Sequence, residues 1–337
     1  MAAQVELSKS ERGRVKSQAK HAGAAAAPPF AAELALSLAL DAAMAAWQRR
    51  GQLGFFVPVE EWAQVLAAAV AATRPDELIF PGVREARLAV FRGFPLVDYL
   101  RQHLGLDAAD SDPARSQAGH AAPGTIASAK YRVASPGGGA GAHLPQAVGA
   151  AMAARALKRS EAVVVLAGSA AADTDDCHVA LNFAAVFRAP VVFLFRSERG
   201  ATSEHSRLTA QAGQITRRAS GYAISAEQMS GDDPLALQQR LNDLLGAARA
   251  GKGPAILEVT QPTKRPADLI GELSALAGPA ALASARARCE EAFQEALQGR
   301  RPGLASLTQG VFSEPTWPLL EQAREAAGEQ VINPEEV

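Results

Sequence analysis

Residues 161–203 hold the side chains best placed to do chemistry. An apolar run, Ala162–Leu166, enters the small-residue turn Ala167-Gly168-Ser169-Ala170. A segment carrying His178 and Asn182-Phe183-Ala184-Ala185 follows, and a second apolar run, Val191–Phe195, ends at Arg196-Ser197-Glu198-Arg199. This strand, turn, helix, strand outline is that of a cofactor site. Arg196 and the upstream Arg84 carry planar guanidinium groups suited to bidentate contact with phosphate. Their other reading is a surface ion pair or a subunit contact.

Further residues invite chemical readings and also have plainer ones. His178 reads as a packed helix histidine or as a site group on the helix after the turn. Asp173, Asp175 and Asp176 cluster at that helix start, where N-capping and dipole complementarity explain them; a metal site is the sharper alternative. Gly137-Gly138-Gly139-Ala140-Gly141 follows no clear strand and lacks the Lys and Ser/Thr of a phosphate-binding loop, so it reads as flexible linker. No Gly-x-Ser-x-Gly elbow is present, which leaves a nucleophilic serine without its usual local signature.

The elements that must position these groups alternate. Strands are expected at Ala162–Leu166, Val191–Phe195, Ala223–Ser225 and Ala255–Val259. Helices are expected at Asp176–Phe187, Leu208–Ala219 and Pro234–Ala250. Such alternation implies an α/β fold, a doubly wound parallel sheet with helices on both faces. Phe30–Arg50, Glu60–Arg74 and Pro95–Leu104 read as helices ahead of it, and Ala280–Leu297 and Glu314–Ala327 as helices after it. Asp107–Lys130 reads as a long loop. The expected organisation is a mobile tail at 1–29, an α/β domain at 30–260 and a helical C-terminal extension at 261–337.

The same residues carry a family resemblance. Phe80-Pro81-Gly82-Val83-Arg84-Glu85, Pro145-Gln146-Ala147-Val148-Gly149-Ala150-Ala151, Gly221-Tyr222, Gly231-Asp232-Asp233, Gly251–Glu258 and Val311–Pro315 stand in order around the 161–203 core. In this order the chain resembles the alpha subunit of the thiamine-diphosphate-dependent 2-oxo acid dehydrogenases, the branched-chain and pyruvate type. The resemblance implies a thiamine-diphosphate-binding fold and an assembly of two alpha and two beta chains with the cofactor at their interface. It implies a first turn reading Gly-Asp/Glu-Gly and a second strand ending in Asn-Asn. The acid and the second Asn would hold a Mg²⁺ bridging the diphosphate.

At the matching positions this chain has Gly168 followed by Ser169 and Ala170, and Ser197-Glu198 for the Asn pair. Mg²⁺ favours carboxylate and phosphate oxygens in near-octahedral array. A Ser hydroxyl adds no charge, and Ala170 adds a methyl where a diphosphate would approach the backbone. Glu198 remains a possible oxygen donor. The family's His-rich loop after the last core strand reads Gln261–Asp268 here and has no His. Thiamine chemistry needs acid–base groups around the cofactor. Three separate losses point to a noncatalytic homologue, a structural or regulatory subunit with no cofactor expected.

Two alternatives stand beside that reading. One is an active 2-oxo acid dehydrogenase subunit using thiamine diphosphate and Mg²⁺ through altered ligands. The other is a binding module that takes an anionic ligand between Arg84 and Arg196. Expected partners are further copies of the chain or a beta-subunit-like protein. The formal net charge of −1 gives no global field toward nucleic acid or an anionic membrane. No apolar stretch reaches membrane-spanning length. Cys177 and Cys289 are distant in sequence and lack ligand spacing. The polar Val5–Lys20 segment has no apolar leader core, so a reducing cytoplasm is the expected compartment.

Overall fold

A computed structural model describes residues 28–54, 56–106, 126–135, 139–197, 215–264, 266–301 and 312–328. Residues 1–27 of the expected tail, most of the 107–130 loop, Gly137, Gly138, Glu198, Arg199 and the start of the Leu208–Ala219 helix lie outside the described residues. Five strands form one fully parallel sheet: β1 (Ile79–Phe80), β2 (Val163–Gly168), β3 (Val191–Ser197), β4 (Ser225–Ser230) and β5 (Ala255–Thr260), in spatial order β1-β2-β3-β5-β4. The register pairs Val163 with Val191, Val192 with Ala255, and Gly168 with Arg196.

The inner strands β2 and β3 read as apolar runs because both of their faces are covered, while β5 carries one buried carboxylate, Glu258. Val164, Leu166, Val192, Leu194, Leu257 and Val259 face a cluster built with helices α2 (Ala63–Ala72) and α9 (Pro234–Arg249). Val163, Val165, Val191, Phe193, Phe195 and Ile256 face the opposite cluster. That layer is built from α5 (His143–Ala156), α7 (Asp175–Val186) and the short α8 (Ile215–Ala219). The period-two alternation thus sorts side chains between two helical layers.

A third apolar cluster lies in the helical part of the molecule. Helix α1 (Ala31–Arg49) packs against α11 (Pro279–Ala296), with α3 (Leu88–Phe91), α4 (Leu96–Leu104) and α10 (Pro266–Ala277) around them. Trp47 and Phe293 stack with ring centroids 3.8 Å apart and planes 9° from parallel. The N- and C-terminal helices therefore share one core although the sheet separates them in sequence. Inside it, the fully buried Arg87 donates to Asp41 Oδ1 at 2.7 Å and to the Ser37 carbonyl at 3.3 Å. Burial beside this pair pushes the Tyr99 hydroxyl up to about 12.

Several expected elements move. The fourth strand runs Ser225–Ser230, not Ala223–Ser225. It is a polar edge strand, so no apolar run announces it, and Ala223 is in the left-handed region at φ 56° at the end of the preceding turn. Helix α10 begins at Pro266, inside the Gln261–Asp268 segment read as loop, and continues through Gly271 within the expected helical extension. The expected helix at 60–74 is a 3₁₀ turn (Glu60–Trp62) running into α2, and α12 is Trp317–Ala326.

Glu77 joins three parts of the sheet region. Its carboxylate takes two bonds of 2.6 Å from Arg249 and accepts from the Arg74 and Ala162 amides. Burial raises its pKa, but the Arg249 bond, the two amides and the Arg249 charge outweigh that and hold the group below the ordinary range. A carboxylate with a lowered folded-state pKa stabilises above its unfolded value, near ~4.3, and loses that contribution as pH falls through the folded value. Glu77→Gln is expected to cost about 3 kcal/mol at neutral pH. In urea titrations the deficit should shrink on acidification below pH ~4; a deficit unchanged down to pH 2 would contradict this account.

Candidate functional site

The expected site residues gather at the C-terminal edge of the sheet, where open parallel sheets hold ligands. Gly168 ends β2 in extended conformation (φ −88°, ψ 172°), and Ser169 opens the one-turn helix α6 (Ser169–Ala172). The turn read from sequence is thus a short helix, with Ser169 and Ala170 both exposed. Arg196 and Ser197 end the neighbouring β3, in register with Val259 and Thr260. Arg84 follows β1 in a 3₁₀ turn (Val83–Glu85) and donates to the Pro58 carbonyl at 2.8 Å. Glu198 lies outside the described residues.

Arg196 is neither a free phosphate-binding group nor a surface ion pair. It is buried, and Nη2 is paired with the buried carboxylate of Glu85. Its guanidinium carbon lies 5.1 Å from the centre of the Trp62 ring. Glu85 is held against the backbone at Gly82: a Cβ there would sit 2.3 Å from Glu85 Oε2 and 3.5 Å from the Leu166 carbonyl. Glycine at position 82 therefore gives the carboxylate its room. Sequence reading counts Arg196 as available because its partner is remote in the chain.

Beside this pair is a cleft of about 240 Å³ lined by Pro58, Glu60, Glu61, Trp62, Arg84 and Gln261, among others. The Gln261 amide donates to Glu61, and the Gln261 backbone amide donates to the Ser197 carbonyl at 2.8 Å. Glu60 has its pKa raised by partial burial and by the nearby Asp41 and Glu61 charges, with Arg87 opposing. Two carboxylates against the single cation Arg84 leave the wall net negative and unwelcoming to a diphosphate. The loop after β5 is pinned by Asp232, which accepts from the Thr263 amide at 2.9 Å and its hydroxyl at 3.1 Å.

The other candidates resolve into structural parts. His178 is exposed, with Nδ1 2.8 Å from the Tyr222 hydroxyl. Asp173 pairs with Arg218 at 3.2 Å. The cap of α7 is Thr174, whose hydroxyl accepts from the Cys177 amide at 3.2 Å; Asp175 and Asp176 occupy the first turn. Among the described residues no group of three or more His, Cys, Asp or Glu side chains could hold a metal. Gly141, read as linker, is a packing residue: φ is 84°, and a Cβ would lie 2.2 Å from Thr174 Oγ1. His143, unnoticed in sequence, is buried with Nε2 2.7 Å from the Leu166 carbonyl, so it braces the β2 end. Burial pushes Cys177 up to about 11 and Cys289 up to about 12, which leaves both thiols unreactive.

The described residues do not fit a Mg²⁺-diphosphate. The turn after β2 presents a hydroxyl and a methyl, its nearest acid in sequence, Asp173, is paired, and Arg196 is neutralised by Glu85. Removing one partner of a buried ion pair leaves the other charge stranded. Glu85→Ala should therefore destabilise by about 3–5 kcal/mol. The double change Glu85→Leu with Arg196→Met should recover most of that loss in denaturant titrations. A single mutant as stable as the parent would show that Arg196 finds water instead.

A family model described as "Dehydrogenase E1 component" matches residues 34–261. The alpha 1 subunit of mitochondrial 2-oxoisovalerate dehydrogenase from Arabidopsis thaliana is 28% identical over 212 residues, which is 63% of this chain and 44% of the relative. The 2-oxoisovalerate dehydrogenase alpha subunit of Bacillus subtilis is 29% identical over 225 residues, 66% of each chain. The 3-methyl-2-oxobutanoate dehydrogenase alpha subunit of Mycobacterium tuberculosis is 31% identical over 219 residues, 65% of this chain and 56% of the relative. These matches therefore span between 44% and 66% of the relatives' own lengths. With its parallel sheet, its strand-end turn and a match over most of its length, the chain belongs to the dehydrogenase E1 component family.

Proposed function

We propose that this chain is a noncatalytic member of the family, a structural or regulatory subunit in a reducing cytoplasm, assembled with further copies of itself or with a beta-subunit-like partner. The observation that carries the reading is the closed Arg196–Glu85 pair beside a turn without a carboxylate. The His-free loop at 261–268 agrees with it. An active thiamine-diphosphate-dependent subunit that decarboxylates a 2-oxo acid oxidatively is the second reading. It is favoured by the relatives, which are named as dehydrogenase alpha subunits, and it would rely on Glu198 for a metal oxygen.

Calorimetry with thiamine diphosphate and Mg²⁺, alone and with a beta partner, separates the two. The expected result is no Mg²⁺-dependent saturable binding; a Mg²⁺-dependent Kd tighter than about 10 μM that is lost in Arg84→Ala would promote the active reading. Ser169→Asp alone is expected to restore no decarboxylation. It supplies one metal oxygen and leaves the loop without a histidine, so a bound cofactor would gain no transition-state stabilisation from that loop.

Assembly is supported by an uncovered apolar face. Val179, Phe183, Val186 and Phe187, along and just past α7, are 43, 47, 68 and 46% exposed, and Leu157 beside them in the same layer is 62% exposed. Apolar side chains grouped in this way mark interaction surfaces. Light scattering should give a mass above 35.1 kDa. Phe183→Glu with Val186→Glu should bring it down toward one chain; a monomeric parent across a wide concentration range would defeat this part of the proposal.

A further inference from the structure

At the opposite edge of the sheet, where the strands begin, lies a cleft of about 330 Å³. Its walls carry Arg155, Lys158, Arg159, Arg188 and Arg249, with Glu161 the one carboxylate among its lining residues. Three helices end here: α5 before Leu157, α7 before Phe187 and α9 before Ala250. Cations at helix C-termini answer the partial negative charge of the terminal carbonyls.

The charges do not cancel. Arg249 is matched by Glu77. Arg159 shares Glu161 with Arg132, at 3.5 and 2.9 Å. Arg155 spends Nη1 on the Phe187 and Arg188 carbonyls at 2.6 and 2.9 Å, and Arg188 reaches the Gly251 carbonyl at 3.4 Å; these bonds orient the guanidinium groups without neutralising them. With Arg132, which pairs with Glu161 without lining the cleft, and Glu77, which pairs with Arg249, six cations meet two carboxylates, a surplus of four. Three helix ends at about −0.5 each remove roughly 1.5 of it. Between two and three positive charges remain in one concavity, on a chain whose formal net charge is −1.

The backbone adds an independent observation. Among the described residues, four other than glycine have positive φ, and three are cations of this group: Arg132 at 54°, Lys158 at 54° and Arg188 at 47°. Lys158 and Arg188 follow the caps of α5 and α7, the positions that glycine fills at least cost. Strained non-glycine residues gather where a side chain has a task beyond the turn. Concave walls with low-dielectric backing focus the potential of such a cluster.

We propose that this cleft binds a small polyanion carrying linked phosphate groups, of the diphosphate or nucleoside diphosphate class. Arg155, Arg159 and Arg188 offer guanidinium forks to phosphate oxygens, and Lys158 adds a compact charge at the rim. The surplus matches the two to three negative charges of such a group. The site lies across the sheet from Arg84 and Ser169 and does not depend on the cofactor question.

The test is calorimetry on the full chain at low salt, without divalent metal, using inorganic diphosphate and ADP as probes. The expected result is one saturable site with a Kd below about 100 μM, weakening steeply as salt is raised through the range where screening takes hold. Lys158→Gly with Arg188→Gly should weaken binding at least about tenfold, while the melting temperature stays level or rises because glycine relaxes both turns. Arg84→Ala should leave binding as it was. Absence of saturable binding to either probe overturns the proposal. So does binding that survives the double glycine change, or that is lost in Arg84→Ala instead.

Discussion

The constraint on which the rest depends is that β2 and β3 have no polar face. From Val163 to Ala167 and from Val191 to Phe195 every side chain is buried. A sheet built on such strands needs a helical layer on each side, and the chain between strands has to supply them. That requirement places α5 and α7 on one face and α2 and α9 on the other. It also fixes where polar groups can go. Inside the layers an unpaired charge is costly, so charges collect at the two ends of the strands; the exception is Glu258 in β5, which is buried and accepts from the Thr216 amide and hydroxyl.

Where charges enter the interior they are tied by partners distant in sequence. Arg87 meets Asp41, Glu77 meets Arg249 and Arg196 meets Glu85. Each pair joins elements that the chain itself does not connect directly. A desolvated pair adds little net stability compared with apolar replacements, but it is costly to break. These pairs therefore act as registration devices. Arg87–Asp41 sets α1 against the segment before α3, and Glu77–Arg249 sets the entry to β1 against the end of α9.

Much of the fold is legible in sequence because burial leaves a local trace. Apolar runs announce β2, β3 and β5, and Asp233-Pro234 announces the start of α9, where the Asp233 carboxylate accepts from the Leu235 and Ala236 amides. What escapes is whatever lacks that trace. Strand β4 is polar and at the edge, so it reads as a shorter segment displaced toward Ala223. The start of helix α10 falls inside the Gln261–Asp268 segment, whose Pro262 and Pro266 read as loop. In the site, the identities of Ser169 and Ala170 are visible at once, because a missing carboxylate is a property of one position. The state of Arg196 is not visible, because its neutralisation depends on Glu85 and on the space left at Gly82. His143 under the Leu166 carbonyl is hidden for the same reason.

The two edges of the sheet carry charge in an unusual sense. In parallel α/β sheets the helix N-termini point to the edge where strands end, and that edge attracts anions. Here that edge holds Glu60, Glu61 and Glu85 against Arg84 and a buried Arg196 that Glu85 already answers. At the other edge the helix C-termini should repel anions, yet the cations placed there exceed what the carbonyls and carboxylates balance. The dipoles of the fold are unchanged, so side-chain charge has been set against them at both ends. An arrangement that opposes the backbone field at the edge expected to bind an anion is hard to reconcile with a diphosphate seat there. A side-chain surplus large enough to override the backbone field at the far edge is more than helix termination alone requires.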